Sequence, residues 1–253
     1  MMKKRTFLNC EKALLTVMVQ ADNPERVIEL MQKSLPCGAE AFGMQFCRMK
    51  SEYRNDETYK KLFSAAGDKP IYVTNYRFVV NEGKSDETLA EEMVGLARCG
   101  ATLIDVMADM FDRREGEFTT DPCAVEKQKA LIDRLHAEGA EVLMSSHVQK
   151  YISAERVLEI ALGQESRGAD ICKIVTRADT VAQQIENMRI IDLLKQNLKV
   201  PFLYLSGGEC CDLMRLVGGK LGNCMTLCVY EHDALASSVQ PLLSRAKAIH
   251  DNI

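Results

Sequence analysis

Short apolar runs alternate with segments of helical periodicity along the chain. Eight runs rich in branched apolar residues are bounded by polar, glycine or proline positions, which is typical of buried parallel strands. The predicted strands are residues 13–19, 39–46, 71–76, 103–108, 142–146, 171–176, 202–205 and 225–230. Nearly every run is followed by apolar residues at helical spacing, and the last predicted helix spans residues 237–250.

This alternation predicts an α/β fold. Strands that alternate with helices pair in parallel through right-handed crossovers, and eight such units favour a closed (β/α)8 barrel, the TIM barrel. An open, doubly wound sheet is the alternative. The 253 residues contain no linker rich in proline, glycine or serine, so we expect a single barrel domain over residues 1–253.

Composition and charge exclude several classes of protein. The formal net charge of -4 is too small to suggest a nucleic-acid surface. No run of about 18 apolar residues is present, so we expect no membrane partner. Residues 1–9 are basic but lack the apolar stretch of a secretory signal. A cytoplasmic protein is therefore expected.

The ten cysteines are spread along the chain without CxxC spacing. We interpret them as reduced and mostly buried thiols. Cys210 and Cys211 are adjacent and Cys224 lies four residues before Cys228, but no matching His/Cys pair accompanies either group. No metal site is predicted.

Lys173 lies inside the apolar run Ile171-Cys172-Lys173-Ile174-Val175. Active sites of such barrels gather at the carboxyl ends of the strands, so polar residues there are candidates for chemistry. Burial disfavours the charged form of an amine, and a neutral amine can attack a carbonyl carbon to form a Schiff base. A lysine that reaches the strand edge or pairs with a carboxylate is the structural alternative.

His147 and Arg215 are two further candidates. His147 closes the fifth predicted strand, where it should face the same side of the barrel as Lys173 and could move protons. Arg215 lies early in the helix after Gly207-Gly208 and could bind an anionic group with its two-pronged guanidinium. A hydrogen-bonded structural histidine and a surface arginine remain open as alternatives. The glycine pair alone is only weak support for a phosphate site.

Three stretches carry a resemblance to a known family. They are VLMSSHV around His147, GADICKIV around Lys173, and LSGGECCDLMRLVGGKLGN, which contains Arg215. The chain resembles the type I 3-dehydroquinate dehydratases over most of its length. The resemblance implies that Lys173 forms the Schiff base, that His147 moves protons at the adjacent carbon, and that Arg215 binds the substrate carboxylate. It also implies a keto acid substrate of the shikimate pathway, a homodimer and no cofactor.

Other positions depart from the pattern of this family. Its second strand carries a glutamate and an arginine where this chain has Gly43 and Gln45, and its third strand carries an arginine where this chain has Tyr76. Arg77 follows one residue late, on the opposite face of a strand. The histidine-orienting glutamate of the fourth strand is replaced by Met107, although Asp105 keeps a carboxylate on the same face.

The resemblance near the carboxyl terminus is looser. Ser237 and Gln240 resemble lid and substrate contacts, with spacing that does not align cleanly. The predicted catalytic residues are thus Lys173 and His147. The predicted substrate-binding residues are Arg215, Gln240, Ser237, Gln45, Tyr76 and Met107.

We therefore expect a carbon–oxygen lyase that eliminates water from 3-dehydroquinate or a related β-hydroxy keto acid. The retained chemical positions and the altered recognition positions leave the substrate open between these two. A Schiff-base aldolase on the same barrel is one alternative. A non-catalytic ligand-binding barrel is another, because a fold alone does not establish activity.

Overall fold

The computed structural model describes residues 5–8 and 10–253. The prediction that residues 1–9 lack a secretory signal concerns a segment of which only residues 5–8 are described. All strands belong to one sheet of eight. They are β1 Leu14–Val19, β2 Ala41–Gln45, β3 Ile71–Thr74, β4 Leu103–Met107, β5 Glu141–His147, β6 Ile171–Arg177, β7 Phe202–Gly207 and β8 Met225–Cys228.

Helices follow the strands on the outside of the sheet. They are α1 Pro24–Ser34, α2 Asp56–Ala65, α3 Asp86–Arg98, α4 Pro122–Ala137, α5 Ala154–Ser166, α6 Val181–Asn197, α7 Asp212–Leu221 and α8 Leu243–Asn252. Short 3-10 turns cover Leu35–Cys37, Phe46–Arg48, Ser51–Tyr53 and Val79–Asn81. Polar side chains cap the starts of helices: Asn23 accepts from the backbone N–H of Arg26, and Ser85 accepts from that of Thr88. None of the described helices combines the length and apolar character needed to cross a bilayer.

The strand order distinguishes the barrel from an open sheet. Strands β1 to β6 each pair in parallel with the next strand along the chain, and β1 also pairs in parallel with β8. The seam between β7 and β8 is joined by a hydrogen bond from Cys224 N to Phe202 O at 2.9 Å. The Asn223 side chain adds two bonds, accepting from Tyr204 N and donating to Tyr204 O. The predicted (β/α)8 barrel is confirmed, and the open doubly wound sheet is excluded.

Inward-facing side chains fill the barrel axis, because alternate strand residues face the interior. The apolar members of this cluster include Met18, Leu103, Leu143, Ile171, Leu203 and Met225. Phe7 belongs to the same cluster and is 1% exposed. Its backbone N–H donates to Glu141 Oε2 at 2.8 Å, at the start of β5. Phe7 therefore closes the amino end of the barrel, which leaves the carboxyl end for a pocket.

The last predicted helix begins later than expected. The prediction of a helix over residues 237–250 is wrong at its start, since α8 begins at Leu243. Pro241 lacks a backbone N–H and disfavours the helical conformation for the residue before it. Instead, Val229 N donates to Pro241 O at 2.9 Å and Leu243 N donates to Val229 O at 2.7 Å. Residues 237–240 consequently form a loop at the carboxyl end of the barrel.

Candidate active site

Two adjoining cavities at the carboxyl ends of the strands contain the predicted site residues. The smaller one, of about 120 Å³, contains the Lys173 side chain. The larger one, of about 510 Å³, opens beside it towards β4. Both are lined by Gln45, Tyr76 and His147, so the two cavities adjoin. All eight predicted site residues line one or both: Lys173, Arg215, Ser237 and Gln240 line the smaller cavity, Met107 the larger, and Gln45, Tyr76 and His147 both.

Backbone register places Lys173 inside the barrel. It lies opposite Ser145 in the β5–β6 ladder, two residues below the His147–Val175 pair, so both candidate catalytic side chains share one face. Gln164 of α5 fixes this strand: its Oε1 accepts from Lys173 N, and its Nε2 donates to Lys173 O, both at 3.1 Å. The alternation of side chains along β6 thus determines that Lys173 faces the barrel interior, and the buried Gln164 amide fixes the strand at this residue.

The Lys173 amine is paired with a carboxylate. Nζ lies 3.1 Å from Asp105 Oδ2, and the two side chains are 6% and 0% exposed. The sequence left open whether this lysine is a buried neutral amine or one paired with a carboxylate. The structure shows a lysine that is buried and whose amine lies against a carboxylate.

His147 is oriented by a glutamate that the sequence analysis did not identify. Nδ1 of His147 lies 2.6 Å from Glu117 Oε2, and the backbone N–H of His147 donates to the same oxygen at 3.1 Å. Burial works against ionisation of Glu117, but these bonds from His147 lower its pKa below the ordinary value. An ionised carboxylate only accepts, so it favours the tautomer with the hydrogen on Nδ1 and a lone pair on Nε2.

Glu117 reaches this position from the long loop between β4 and α4. Its backbone has a φ of 51°, a conformation that residues other than glycine rarely adopt. Its carbonyl accepts a hydrogen bond from Ser146 Oγ at 2.7 Å. Backbone strain of this kind persists where the surroundings impose it, and it is common at functional sites. The loop therefore supplies the histidine-orienting carboxylate that Met107 cannot.

Arg215 is a buried residue that lines the smaller cavity. It is 8% exposed, and its Nε donates to the carbonyl of Ser206 at 2.7 Å. Burial lowers the pKa of its guanidinium below the ordinary value. Within the described residues no carboxylate forms an ion pair with it. The surface-arginine alternative is therefore excluded.

Arg77 does not take over the position of the family's third-strand arginine. Its guanidinium bonds to both oxygens of Asp86 and to Asp109 Oδ1, each at 2.7 Å. It lines the larger cavity but not the one that contains Lys173. Burial opposes its charge, yet the bonds to the two carboxylates raise its pKa. Arg77 orders the loops after β3 and β4.

The space beside Gly43 is already filled by another side chain. A Cβ atom at this position would lie 2.1 Å from Met18 Sδ and 3.2 Å from a ring carbon of Tyr72. The site therefore has no room for the glutamate that the family carries there. Gln45, one pleat further along β2, lines both cavities and accepts from Arg48 Nε at 3.0 Å.

Ser237 and Gln240 belong to the loop that precedes α8. Gln240 is 8% exposed, and its Oε1 has no hydrogen-bond partner among the described residues. Ser206 Oγ and Thr74 Oγ1 are likewise buried without a partner in the described part of the chain. Thr74 and Gln240 line the smaller cavity, and because unpaired buried polar atoms are costly, these two side chains point to a polar ligand there.

Fold and site together define a (β/α)8-barrel enzyme with a buried lysine, a carboxylate-oriented histidine and a buried arginine around one pocket. The sequence profile of the type I 3-dehydroquinase family matches residues 15–249. The chain belongs to the type I 3-dehydroquinase family and is a dehydratase, that is, a hydro-lyase. The predicted resemblance is confirmed.

Solved structures show the same fold at low sequence identity. The type I 3-dehydroquinate dehydratase from Clostridium difficile with covalently modified comenic acid has a TM-score of 0.80 and 16% identity, covering 96% of this chain and 93% of that chain. The enzyme from Geobacillus kaustophilus gives 0.80 and 14%, covering 98% and 94%. That from Enterococcus faecalis gives 0.76 and 15%, covering 98% of each chain. No curated protein sequence matches the chain at a significant level.

Proposed function

We propose that this protein eliminates water from a β-hydroxy keto acid of the 3-dehydroquinate type through an imine on Lys173. The observation that carries the proposal is that Lys173, His147 and Arg215 line one cavity of about 120 Å³ at the carboxyl end of the barrel. These are the three positions at which the chain retains the family's chemistry. The sequence resemblance and the geometry of the pocket thus support the same reaction.

In the proposed reaction, Lys173 condenses with the ketone and releases water. The resulting iminium withdraws electrons from the neighbouring carbon, so His147 can remove a proton there through Nε2. The C–H electron pair moves towards the iminium to form an enamine. The β C–O bond then breaks as the enamine pair returns, and His147 gives its proton to the leaving hydroxyl. Hydrolysis of the imine releases the conjugated product and restores the lysine.

Arg215 is proposed to bind the carboxylate of the substrate. Its Nε donates to the Ser206 carbonyl, and its terminal NH₂ groups would bind the two oxygens of the carboxylate. Ser237 and Gln240 line the same cavity and can bond to the carboxylate or to neighbouring hydroxyls. This arrangement supports an anionic substrate that is held at one end while its ketone meets Lys173.

The larger cavity favours a keto acid that differs from 3-dehydroquinate. This cavity of about 510 Å³ adjoins the pocket that contains Lys173, on the side where the family's recognition residues are replaced. Phe78 and Met107 give it an apolar wall, and the exposed Arg113, which forms no ion pair within the described residues, also lines it. A keto acid with a larger substituent at the end remote from its carboxylate is therefore our second candidate substrate.

Borohydride reduction tests the imine. Reduction in the presence of 3-dehydroquinate, or of a substituted keto acid that the enzyme turns over, is expected to add the reduced substrate irreversibly to Lys173, as identified by peptide mass spectrometry. The Lys173→Ala variant serves as the control and should not be labelled. No adduct on the wild-type protein with a substrate that is turned over would contradict the mechanism.

Product analysis separates dehydration from the two alternatives. A conjugated enone that forms without fragmentation supports water elimination, whereas two smaller carbonyl fragments would indicate aldol cleavage. A non-catalytic barrel would give neither product, and its thermal stabilisation by keto acids would be the same in Lys173→Ala. Turnover of 3-dehydroquinate close to background, together with turnover of a larger keto acid, would favour the second substrate.

The proposed setting is a cytoplasmic homodimer. The cysteines from Cys37 to Cys228 are free thiols, which is consistent with a reducing compartment. Val181 and Ile185, one turn apart on α6, are 68% and 63% exposed, and such apolar residues are candidates for a contact with a second copy. Light scattering coupled to gel filtration should give twice the mass of the chain, and a monomer at micromolar concentration would exclude the dimer.

A further inference from the structure

The ammonium of Lys173 already has a full set of partners inside the protein. Its Nζ lies 2.7 Å from the hydroxyl of Tyr76, 3.0 Å from that of Tyr72, and 3.1 Å from Asp105 Oδ2. An ammonium has three hydrogens to donate, and three acceptors surround it. These three acceptors match the three hydrogens of an ammonium, and an ammonium can attack a carbonyl only after one proton has left it.

Asp105 is the centre of this cluster. Oδ2 accepts from Tyr72, from Tyr76 at 2.5 Å and from Lys173, while Oδ1 accepts from Ser145. The side chain has no exposed surface. Burial works against its ionisation, but the nearby Lys173 charge and the hydrogen bonds hold its pKa below the ordinary value. The result is an ionised carboxylate in a site with little water.

The two tyrosines connect this carboxylate to the lysine. Burial, together with the charge of Asp105, raises the pKa of both phenols well above the ordinary value, so both stay protonated. Each donates its one hydrogen to Asp105 and accepts from Lys173. Tyr76 occupies the position where the family resemblance places a substrate-binding arginine. In this chain the Tyr76 hydroxyl contacts the Lys173 amine instead.

We propose that Asp105, supported by Tyr72 and Tyr76, is the proton acceptor and counter-ion of Lys173 during imine formation. This inference rests on the function proposed for Lys173. Asp105 accepts one ammonium proton, and the freed nitrogen pair forms the C–N bond while the carbonyl π pair moves to oxygen. Two of the three ammonium protons leave with that oxygen as water, one of them by way of Asp105. The third remains on the iminium, which faces the carboxylate again.

The counter-ion is useful because the cation persists through the cycle. Ammonium and iminium each place one positive charge at the same atom, and a preoriented carboxylate stabilises both without reorganisation. Besides Lys173 and the two tyrosines, the ionisable side chains that line this cavity among the described residues are His147 and Arg215. Neither is an anion, so the carboxylate nearest to the amine is that of Asp105.

A 1,3-diketone tests the proposal without the natural substrate. 2,4-Pentanedione forms an ultraviolet-absorbing vinylogous amide with a reactive lysine, so the rate of labelling of Lys173 can be followed as a function of pH. In Asp105→Asn the ammonium loses its counter-ion, and the pH midpoint of labelling should fall by about one unit or more. Turnover of the keto acid should fall about 100-fold, because proton transfer and iminium stabilisation are both impaired.

Tyr76→Phe keeps the experiment decisive if Asp105→Asn does not fold. It preserves the ring and the carboxylate but removes one acceptor from Lys173, so the midpoint should fall in the same direction by a smaller amount. Tyr204→Phe is the matched control, since this buried hydroxyl bonds to Thr176 and Asn187 instead, and its midpoint should equal that of the wild type. Midpoints unchanged in Tyr76→Phe, or in a folded Asp105→Asn, would overturn the proposal.

The design separates this proposal from the proposed function. A diketone adduct on Lys173 whose midpoint depends on Asp105, without any borohydride adduct from keto acids, would retain the counter-ion and reject the dehydratase mechanism. A borohydride adduct from a keto acid, together with pH midpoints that do not change in the Asp105 and Tyr76 variants, would retain the imine mechanism and reject the counter-ion role of Asp105.

Discussion

The contact between Glu117 and His147 gives a sharp test of the catalytic geometry. Glu117→Gln keeps the size of the side chain but removes its charge. The lost interaction is the 2.6 Å bond to Nδ1, which is charge-assisted on the acceptor side. A hydrogen bond to a charged group contributes about 1.5–3 kcal/mol. If that energy is used to stabilise the imidazolium formed during proton removal, turnover should fall about 10- to 100-fold.

The amide can also present an N–H group to Nδ1, which would favour the wrong tautomer and place the hydrogen on Nε2. Because the substrate proton is proposed to go to Nε2, this effect lowers kcat rather than weakening substrate binding. The assay is steady-state formation of the conjugated enone by ultraviolet absorbance, using a keto acid that the wild-type enzyme turns over. We expect kcat to fall with little change in KM.

Glu115→Gln is the matched control. Glu115 lies in the same loop, its side chain is 85% exposed, and it pairs with Lys150 rather than with His147. It should leave kcat unchanged. A Glu117→Gln enzyme with kcat within twofold of the wild type would refute the role assigned to this carboxylate. Circular dichroism of the variant distinguishes lost orientation of His147 from lost folding of the loop.

Three further outcomes test the packing and the charges around the site. Gly43→Ala should destabilise the fold by about 1–3 kcal/mol in urea unfolding, because its Cβ would lie 2.1 Å from Met18 Sδ; the loss should be smaller in a Met18→Ala background, and equal losses would contradict the clash. Arg215→Lys keeps the charge but not the fork, so KM should rise about tenfold; steady-state kinetics in which kcat falls at constant KM would contradict carboxylate binding. Burial opposes ionisation of Asp86, but its bonds to Arg77 and to the N–H of Phe111 lower its pKa below the ordinary value. Its stabilising effect should thus be full above about pH 4 and be lost as pH falls through the depressed pKa. The Tm difference between wild type and Asp86→Asn should shrink at acid pH; a difference that is constant with pH would contradict this role.

The sequence by itself determined the barrel and the positions of its main polar groups. Eight apolar runs separated by helical segments leave parallel pairing as the way to bury both faces of each strand. Strand alternation also places Lys173 and His147 on one face, because side chains two residues apart point the same way. The start of α8 was wrong by six residues, since Pro241 and the bridge between Val229 and Leu242 extend the preceding loop.

The tertiary structure alone decided what these groups contact. Lys173 and Asp105 are 68 residues apart in sequence, and Lys173 and Tyr72 are 101 apart, yet closure of the barrel brings them within 3.1 Å. Glu117 lies in a loop with no periodicity, so no pattern indicates that its carboxylate turns towards His147. Gly43 could be seen as a missing glutamate, but only packing shows that Met18 fills the space. Periodicity specifies the face of a strand, whereas contacts across a barrel depend on its curvature, its register and the course of its loops.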